Sequence, residues 1–276
     1  MSLIQSKGRL LDLSTPQVMG ILNATPDSFY QIRQQGELDT LVANAEIMLN
    51  DGATILDIGG ASTKPGSDII DTQEELKRVI PLIEAIHNQF PDVWLSIDTY
   101  NATVAREAIG AGASIVNDVS SGSLDPDMLK TVAALKVPYI AMHMQGTPKT
   151  MQIAPNYTDV VAEVRRYLYD ICNQCDEAGI TDVILDPGFG FGKTVEHNFS
   201  LLKSLATLSI AGRPILAGLS RKSMICKLLK IKPENALNGT TALNMVALQQ
   251  GANILRVHDV KQAVEVVKLF QLLNEA

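Results

Sequence analysis

The chain is short of positive charge. It has 23 Lys and Arg against 30 Asp and Glu, a net charge of −7, and a pI near 5.1. That balance argues against a groove that tracks nucleic acid, which needs a basic face. Cysteine is scarce: there are three, and an odd count argues against a disulfide framework. Cys172 and Cys175 form a C-x-x-C, but no second pair accompanies them to hold zinc. Three residues apart on a helix they share a face, which reads as packing rather than redox chemistry. No apolar run approaches membrane-spanning length, and the opening MSLIQSKGRLLDLS lacks a signal-peptide core, so a soluble cytoplasmic protein is expected. Apolar residues make up 46% and charged residues 19% of the chain, too apolar for disorder and enough for a large core.

What the chain does have is alternation. Apolar runs at Val18–Leu22, Ile55–Ile58, Trp94–Ile97, Ser114–Val116, Pro138–Met142, Asp182–Leu185, Pro214–Leu219 and Asn253–Val257 read as buried strands. Each is followed by a stretch with helical spacing. Asp39 reads as a cap for the first helix, and Thr72 with Glu75 as a capping box for the second. Pro81 falls inside that second pattern, so the helix should kink or begin later. Asp125 and Pro126 open the fourth helix. Thr158–Gly179 is the longest, and Asn198–Leu208 the sixth. A helical region to Gln250 is interrupted by Pro233, and Val260–Leu273 closes the chain. Eight strand–helix units with no linker between them predict a (β/α)8 TIM barrel, one domain over residues 1–276. A doubly wound open sheet is the alternative.

In a barrel every strand end faces one mouth, where active sites lie. Asn23, Thr63, Asp98, Asn117, His143, Asp186, Lys222, Arg256 and His258 would meet there. The richest stretch is VILDPGFGFGKT, Val183 to Thr194. It is not a P-loop, because Pro187 stands where the first glycine belongs, and its glycines miss the dinucleotide spacing. Asp98, Asn117, Asp186 and Lys222 suit a flat heterocycle with several N–H donors, and paired carboxylates would stabilise positive charge on it. Arg256 and His258, two apart on one strand, suit an anion such as pyrophosphate. Asn23 and neighbouring oxygens could complete a magnesium–pyrophosphate site. Spacing alone leaves the reaction open.

At these residues the chain resembles the dihydropteroate synthase family. The similar segments are Gly20–Phe29 (GILNATPDSF), Asp57–Gly66 (DIGGASTKPG), Ser96–Thr99 (SIDT), Ile115–Asp118 (IVND), Met142–Met151 (MHMQGTPKTM), Asp186–Thr194 (DPGFGFGKT), Gly218–Ser223 (GLSRKS) and Arg256–Asp259 (RVHD). They run in family order over nearly the whole chain. The resemblance implies condensation of 6-hydroxymethyl-7,8-dihydropterin diphosphate with p-aminobenzoate, giving 7,8-dihydropteroate and pyrophosphate. It implies that Asp98, Asn117, Asp186 and Lys222 hold the pterin, with Met142 and Phe191 on its faces. Thr63, Arg256 and His258 would hold the diphosphate, with Asn23 beside Mg2+. Phe29, Thr63, Pro65, Lys222 and Ser223 would border p-aminobenzoate. Asp98, Asp186, Lys222 and Arg256 would carry the chemistry, and a homodimer on the last helices is implied. Three positions depart from the family pattern: Ala61 for Glu, Lys64 for Arg, and Tyr30–Arg33 for a loop that usually carries Asp. Two rival functions stay open, a pterin-dependent methyltransferase and a non-catalytic pterin-binding paralogue.

Overall fold

The computed structural model describes residues 3–24, 36–61, 70–146, 151 and 155–275. It opens with a hairpin the sequence reading did not foresee, β1 (Leu3–Ser6) and β2 (Arg9–Asp12). Its turn is Lys7–Gly8, both at positive φ (51° and 77°), the pairing that matches the twist of two antiparallel strands.

Then comes the alternating series. The strands are β3 (Gln17–Asn23), β4 (Ile55–Gly59), β5 (Trp94–Asp98), β6 (Ile115–Asp118), β7 (Tyr139–Met142), β8 (Val183–Asp186), β9 (Leu216–Ala217) and β10 (Ile254–Val257). The helices between and after them are α1 (Gly36–Asn50), α2 (Thr72–Gln89), α3 (Ala102–Ala111), α4 (Met128–Leu135), α5 (Val160–Ala178), α6 (Val195–Lys203), α7 (Ser223–Leu229), α8 (Leu237–Gln249) and α9 (Val260–Glu275). The eight strands pair in parallel in the order β8-β7-β6-β5-β4-β3-β10-β9. A single bridge, Leu185 with Ile215, closes β8 onto β9. The barrel expected from the sequence is therefore formed, with one thin seam where β9 shrinks to two residues.

Several local expectations shift. α2 is capped by Asp71, whose carboxylate accepts from Gln73 N. Thr72 instead accepts a hydrogen bond from Asn101 Nδ2 at 2.7 Å, so its capping box with Glu75 is not formed. α2 begins at Thr72 and runs through Pro81 without ending. α1 starts at Gly36, which puts Asp39 inside its first turn rather than at its cap. Asp125 accepts from Asp127 N and from Ala102 N, tying the start of α4 to that of α3. α6 ends at Lys203, and Leu205–Leu208 is a 3-10 turn. Cys172 and Cys175 lie on the buried face of α5, and burial pushes the Cys175 thiol up to about 12. Both behave as packing residues. Among the described residues no helix is long and apolar enough to cross a membrane.

The layering of the barrel interior places the site. One inward side chain from each strand forms an apolar plug: Met19, Ile55, Trp94, Ile115, Ile140, Ile184, Leu216 and Ile254. Ile4, Leu11 and Leu13 of the hairpin segment close it from below. Arg9 reinforces this lid, its guanidinium 5.1 Å from the Trp94 ring centre. Outward side chains of the same strands, such as Leu56, Ile58, Leu95, Ile97, Val116 and Leu185, pack against the helices in the larger cluster. The plug shuts one end of the barrel to water, so chemistry is confined to the other. Leu13→Ala should therefore cost stability and not catalysis. A buried Leu→Ala loss of about 2–5 kcal/mol is expected in urea unfolding, with KM values unchanged. A raised KM without lost stability would show that the lid shapes the site.

Candidate active site

Side chains two apart on a strand share a face. Two residues beyond the plug, the inward positions turn polar: Asp57 on β4, Ser96 on β5, Asn117 on β6, Asp186 on β8 and Arg256 on β10. Ile21 on β3 and Met142 on β7 are apolar members of this tier. Two further on stand Asn23 and Asp98, at the ends of β3 and β5. Asp98, Asn117, Val119, Met142, Asp186, Phe189, Phe191, Gly218, Lys222 and Arg256 line one cavity.

Arg256 organises its floor. Its Nε donates to Asp57 Oδ2 at 2.6 Å and its Nη2 to Asp98 Oδ2 at 2.7 Å. Asn117 Nδ2 donates to the same Asp57 oxygen at 3.1 Å. Burial opposes the guanidinium charge, but Asp57 and Asp98 outweigh it and hold Arg256 above its ordinary pKa. Burial pushes Asp98 up, chiefly against the pull of Arg256. Asp186 is also pushed up by burial, opposed first by Gly188 N, which donates to its Oδ1 at 2.7 Å. Asp57 Oδ1, Asp98 Oδ1 and Ser96 Oγ are buried with no hydrogen-bond partner among the described residues. Buried acceptors of this kind are costly unless a ligand or water donates to them.

Asp57 is the residue the sequence reading passed over. Its signal was there, a lone carboxylate inside the strand ILDIG, where the inward face of a buried strand should be apolar. Arg256, paired with His258 in that reading, is first the counter-ion of two floor carboxylates.

The loop after β8 forms the wall. Gly188 has φ +69°, and a Cβ there would lie 2.0 Å from His143 O, so only glycine fits. Lys193 holds the loop together from behind: its Nζ reaches His143 Nδ1 at 2.9 Å, Gly188 O at 2.9 Å and Phe191 O at 3.0 Å. His143, expected at the mouth, is turned away from the cavity onto Lys193 and the edge of Tyr167. Its pKa is lowered to about 3, by burial and then by Lys193. Phe191 faces the cavity, with Lys222 Nζ 4.3 Å above its ring centre, a cation–π contact.

Lys222 caps α7 and Ser223 begins it, exposed to solvent. His258 follows β10. Phe29, Thr63 and Pro65, with Lys64 and Tyr30–Arg33, lie outside the described residues, whereas Ala61 is buried. For magnesium the donor set is thin. Asn23 Oδ1 and Asp98 Oδ2 flank Gly59, 3.7 and 3.8 Å from where its Cβ would be. No cluster of three or more His, Cys, Asp or Glu suited to a metal is found among the described residues. Asp98 Oδ2 already accepts from Arg256 Nη2, which leaves Asn23 Oδ1 as the oxygen here that would meet an ion bringing most of its own ligands as phosphate and water.

Burial lowers the Lys222 pKa to about 8, against the upward pull of Asp186. The ammonium is therefore present below about pH 8 and lost above it, some two units sooner than for an ordinary lysine. If that charge serves the reaction, kcat/KM should fall as pH rises through about 8. Lys222→Arg should remove this limb up to pH 10, because arginine stays charged. An unmoved limb in that variant would assign the titration elsewhere.

Comparison with known proteins agrees with this geometry. Residues 19–258 match the family model described as pterin binding enzyme. The dihydropteroate synthase of Escherichia coli K12 is 49% identical over 268 residues, covering 96% of this chain and 94% of that one. The Yersinia pestis dihydropteroate synthase, solved in a sulfonamide drug complex, superposes with a TM-score of 0.94 at 44% identity, over 99% of this chain and 100% of that one. The Xanthomonas albilineans dihydropteroate synthase, solved with 7,8-dihydropteroate, gives 0.89 at 40% identity over 99% of both. With matches of this identity over nearly its full length, on a barrel whose mouth gathers the expected acids and bases, the chain belongs to the pterin binding enzyme family as a dihydropteroate synthase.

Proposed function

We propose that this barrel joins 6-hydroxymethyl-7,8-dihydropterin diphosphate to p-aminobenzoate, releasing pyrophosphate and 7,8-dihydropteroate. The observation that carries the reading is the polar tier of Asp57, Asn117, Asp186 and Arg256 set directly above an apolar plug, with Asp98 and Lys222 joining Asn117, Asp186 and Arg256 in the lining of one cavity. A pterin edge offers paired N–H donors, and two carboxylates at fixed positions accept them. Met142 and Phe191 supply apolar contacts to the ring. The C–O bond to the diphosphate breaks with its electron pair on oxygen, leaving a cation spread over the pterin. Asp98 and Asp186 favour that charge because they are oriented before it develops. The arylamine nitrogen then forms the new C–N bond and gives up a proton.

Arg256, Lys222 and His258 would meet the negative charge that grows on the leaving group, with Thr63 as a further ligand. Phe29, Pro65 and Ser223 would border p-aminobenzoate. Asn23 would hold Mg2+ together with the diphosphate, and the ion would offset charge on the leaving group. A homodimer through the last helices is part of the proposal, supported by the exposed Leu269, Leu272 and Leu273 on α9. Exposed leucines at i, i+3 and i+4 share one helix face, and an apolar face of this kind is a common sign of association.

The test is release of pyrophosphate from the dihydropterin diphosphate on adding p-aminobenzoate. Turnover is the expected result. Tight pterin binding with no pyrophosphate release would leave a non-catalytic binder instead. Light scattering after gel filtration checks the dimer, and a monomer at micromolar concentration would refute it.

A further inference from the structure

We propose that Ser220 is a positioning residue that holds His258 as the neutral tautomer with its proton on Nε2, so that the imidazole offers an N–H to a phosphate oxygen. The inference rests on the reading of His258 as a diphosphate ligand, and its test separates the two.

The register leads to it. β9 and β10 pair Leu216 with Ile254 and Ala217 with Leu255, a constant offset of 38 residues, since 254 − 216 = 38. The backbone ladder stops there, but side chains carry the same offset onward. Ser220 meets His258, and Arg221 meets Asp259. The two loops that carry Lys222 and His258 are thus pinned to each other beyond the end of the sheet.

Proton accounting then decides the tautomer. His258 N donates to Ser220 Oγ at 3.2 Å, and the same Oγ lies 2.9 Å from His258 Nδ1. If Nδ1 carried the proton, Oγ would receive two donors and its own hydrogen would have no acceptor among the described residues. With Nδ1 bare, the amide donates to Oγ, the hydroxyl donates to Nδ1, and every group is used. The ring proton then sits on Nε2, set by the bond its other nitrogen makes.

The surroundings disfavour the imidazolium as well. Partial desolvation of the ring and then Arg221, Arg256 and Lys222 together lower the His258 pKa to about 4, with Asp259 alone opposing them. Asp259 is itself engaged, taking Arg221 Nε at 3.1 Å and Nη2 at 2.6 Å on its two oxygens. His258 thus contributes a directed N–H, while Arg256 and Lys222 contribute the charge.

The test uses 15N-histidine labelling of the full chain. With only four histidines, His258→Gln assigns the signal. Two-bond 15N–1H correlation at pH 6–8 should show His258 as a single Nε2–H tautomer. In Ser220→Ala the two ring nitrogens should move toward averaged shifts, and Ser220→Thr, which keeps the hydroxyl, should restore the wild-type pattern. Inorganic pyrophosphate should bind roughly fivefold more weakly to Ser220→Ala, the size of one neutral hydrogen bond. Binding of a pterin without the diphosphate should not change.

An Nδ1–H tautomer or an imidazolium in the wild type at pH 7 overturns the proposal without any variant having to fold. So does a pure Nε2–H tautomer in Ser220→Ala. If the tautomer behaves as expected but His258→Gln binds pyrophosphate normally, the diphosphate reading fails and the tautomer lock stands.

Discussion

Asp186→Asn should weaken pterin binding about a hundredfold or more, close to 3 kcal/mol. The size follows from what each carboxylate oxygen faces. Oδ1 already accepts from Gly188 N at 2.7 Å, and the side chain lines the cavity. An amide has one acceptor and one double donor. Turned one way, its NH2 meets the Gly188 N–H, and turned the other way it meets the pterin's donors. Either orientation sets donor against donor in a buried place. Titration calorimetry with a pterin ligand checks it, and near-wild-type affinity would remove Asp186 from the pterin site. Circular dichroism alongside separates lost binding from lost fold.

Gly188→Ala should be as damaging by another route. The residue combines φ +69° with a Cβ position 2.0 Å from His143 O. The obstacle is backbone, so no rotamer change relieves it. The loop must move, and with it the Gly188 N–H that holds Asp186 and the Gly188 carbonyl that Lys193 binds. A loss of about 3 kcal/mol in stability is expected, with activity below detection. Gly190→Ala is the natural comparison: its φ is +83°, but its Cβ would meet the flexible Lys222 chain, at 3.2 Å. It should cost less in both respects. Equal effects would mean that positive φ, and not the His143 contact, sets the requirement.

The residue types and their order were legible before any coordinates. Apolar runs ending in Asp98, Asn117 and Asp186, and a last run that carries Arg256, mark strands, because a polar or charged group on a buried strand needs a reason to be there. Other features were not legible, and the cause differs for each. The N-terminal hairpin is four residues a side, and its lid role depends on Trp94 and seven other side chains far along the chain. Asp71, not Thr72, caps α2, because Thr72 is drawn to Asn101, 29 residues away. His143 follows β7 as its neighbours follow their strands, yet Lys193 claims its ring.

By itself, then, the sequence determined the eight-fold alternation, the side of the barrel that is polar, and the family. Period-two patterning and strand-end chemistry are local properties, and the family's segments can be read by eye. Tertiary structure alone decided how the charges are shared. Asp57, Asp98 and Arg256 are separated by up to 199 residues (256 − 57), and only closure of the sheet makes them one hydrogen-bonded group. The same closure carries the 38-residue offset of β9 and β10 past the last backbone pair, and so decides which hydroxyl faces which imidazole. Pairings of this kind are set by strand register, a property of two segments at once, and no single stretch of sequence contains it.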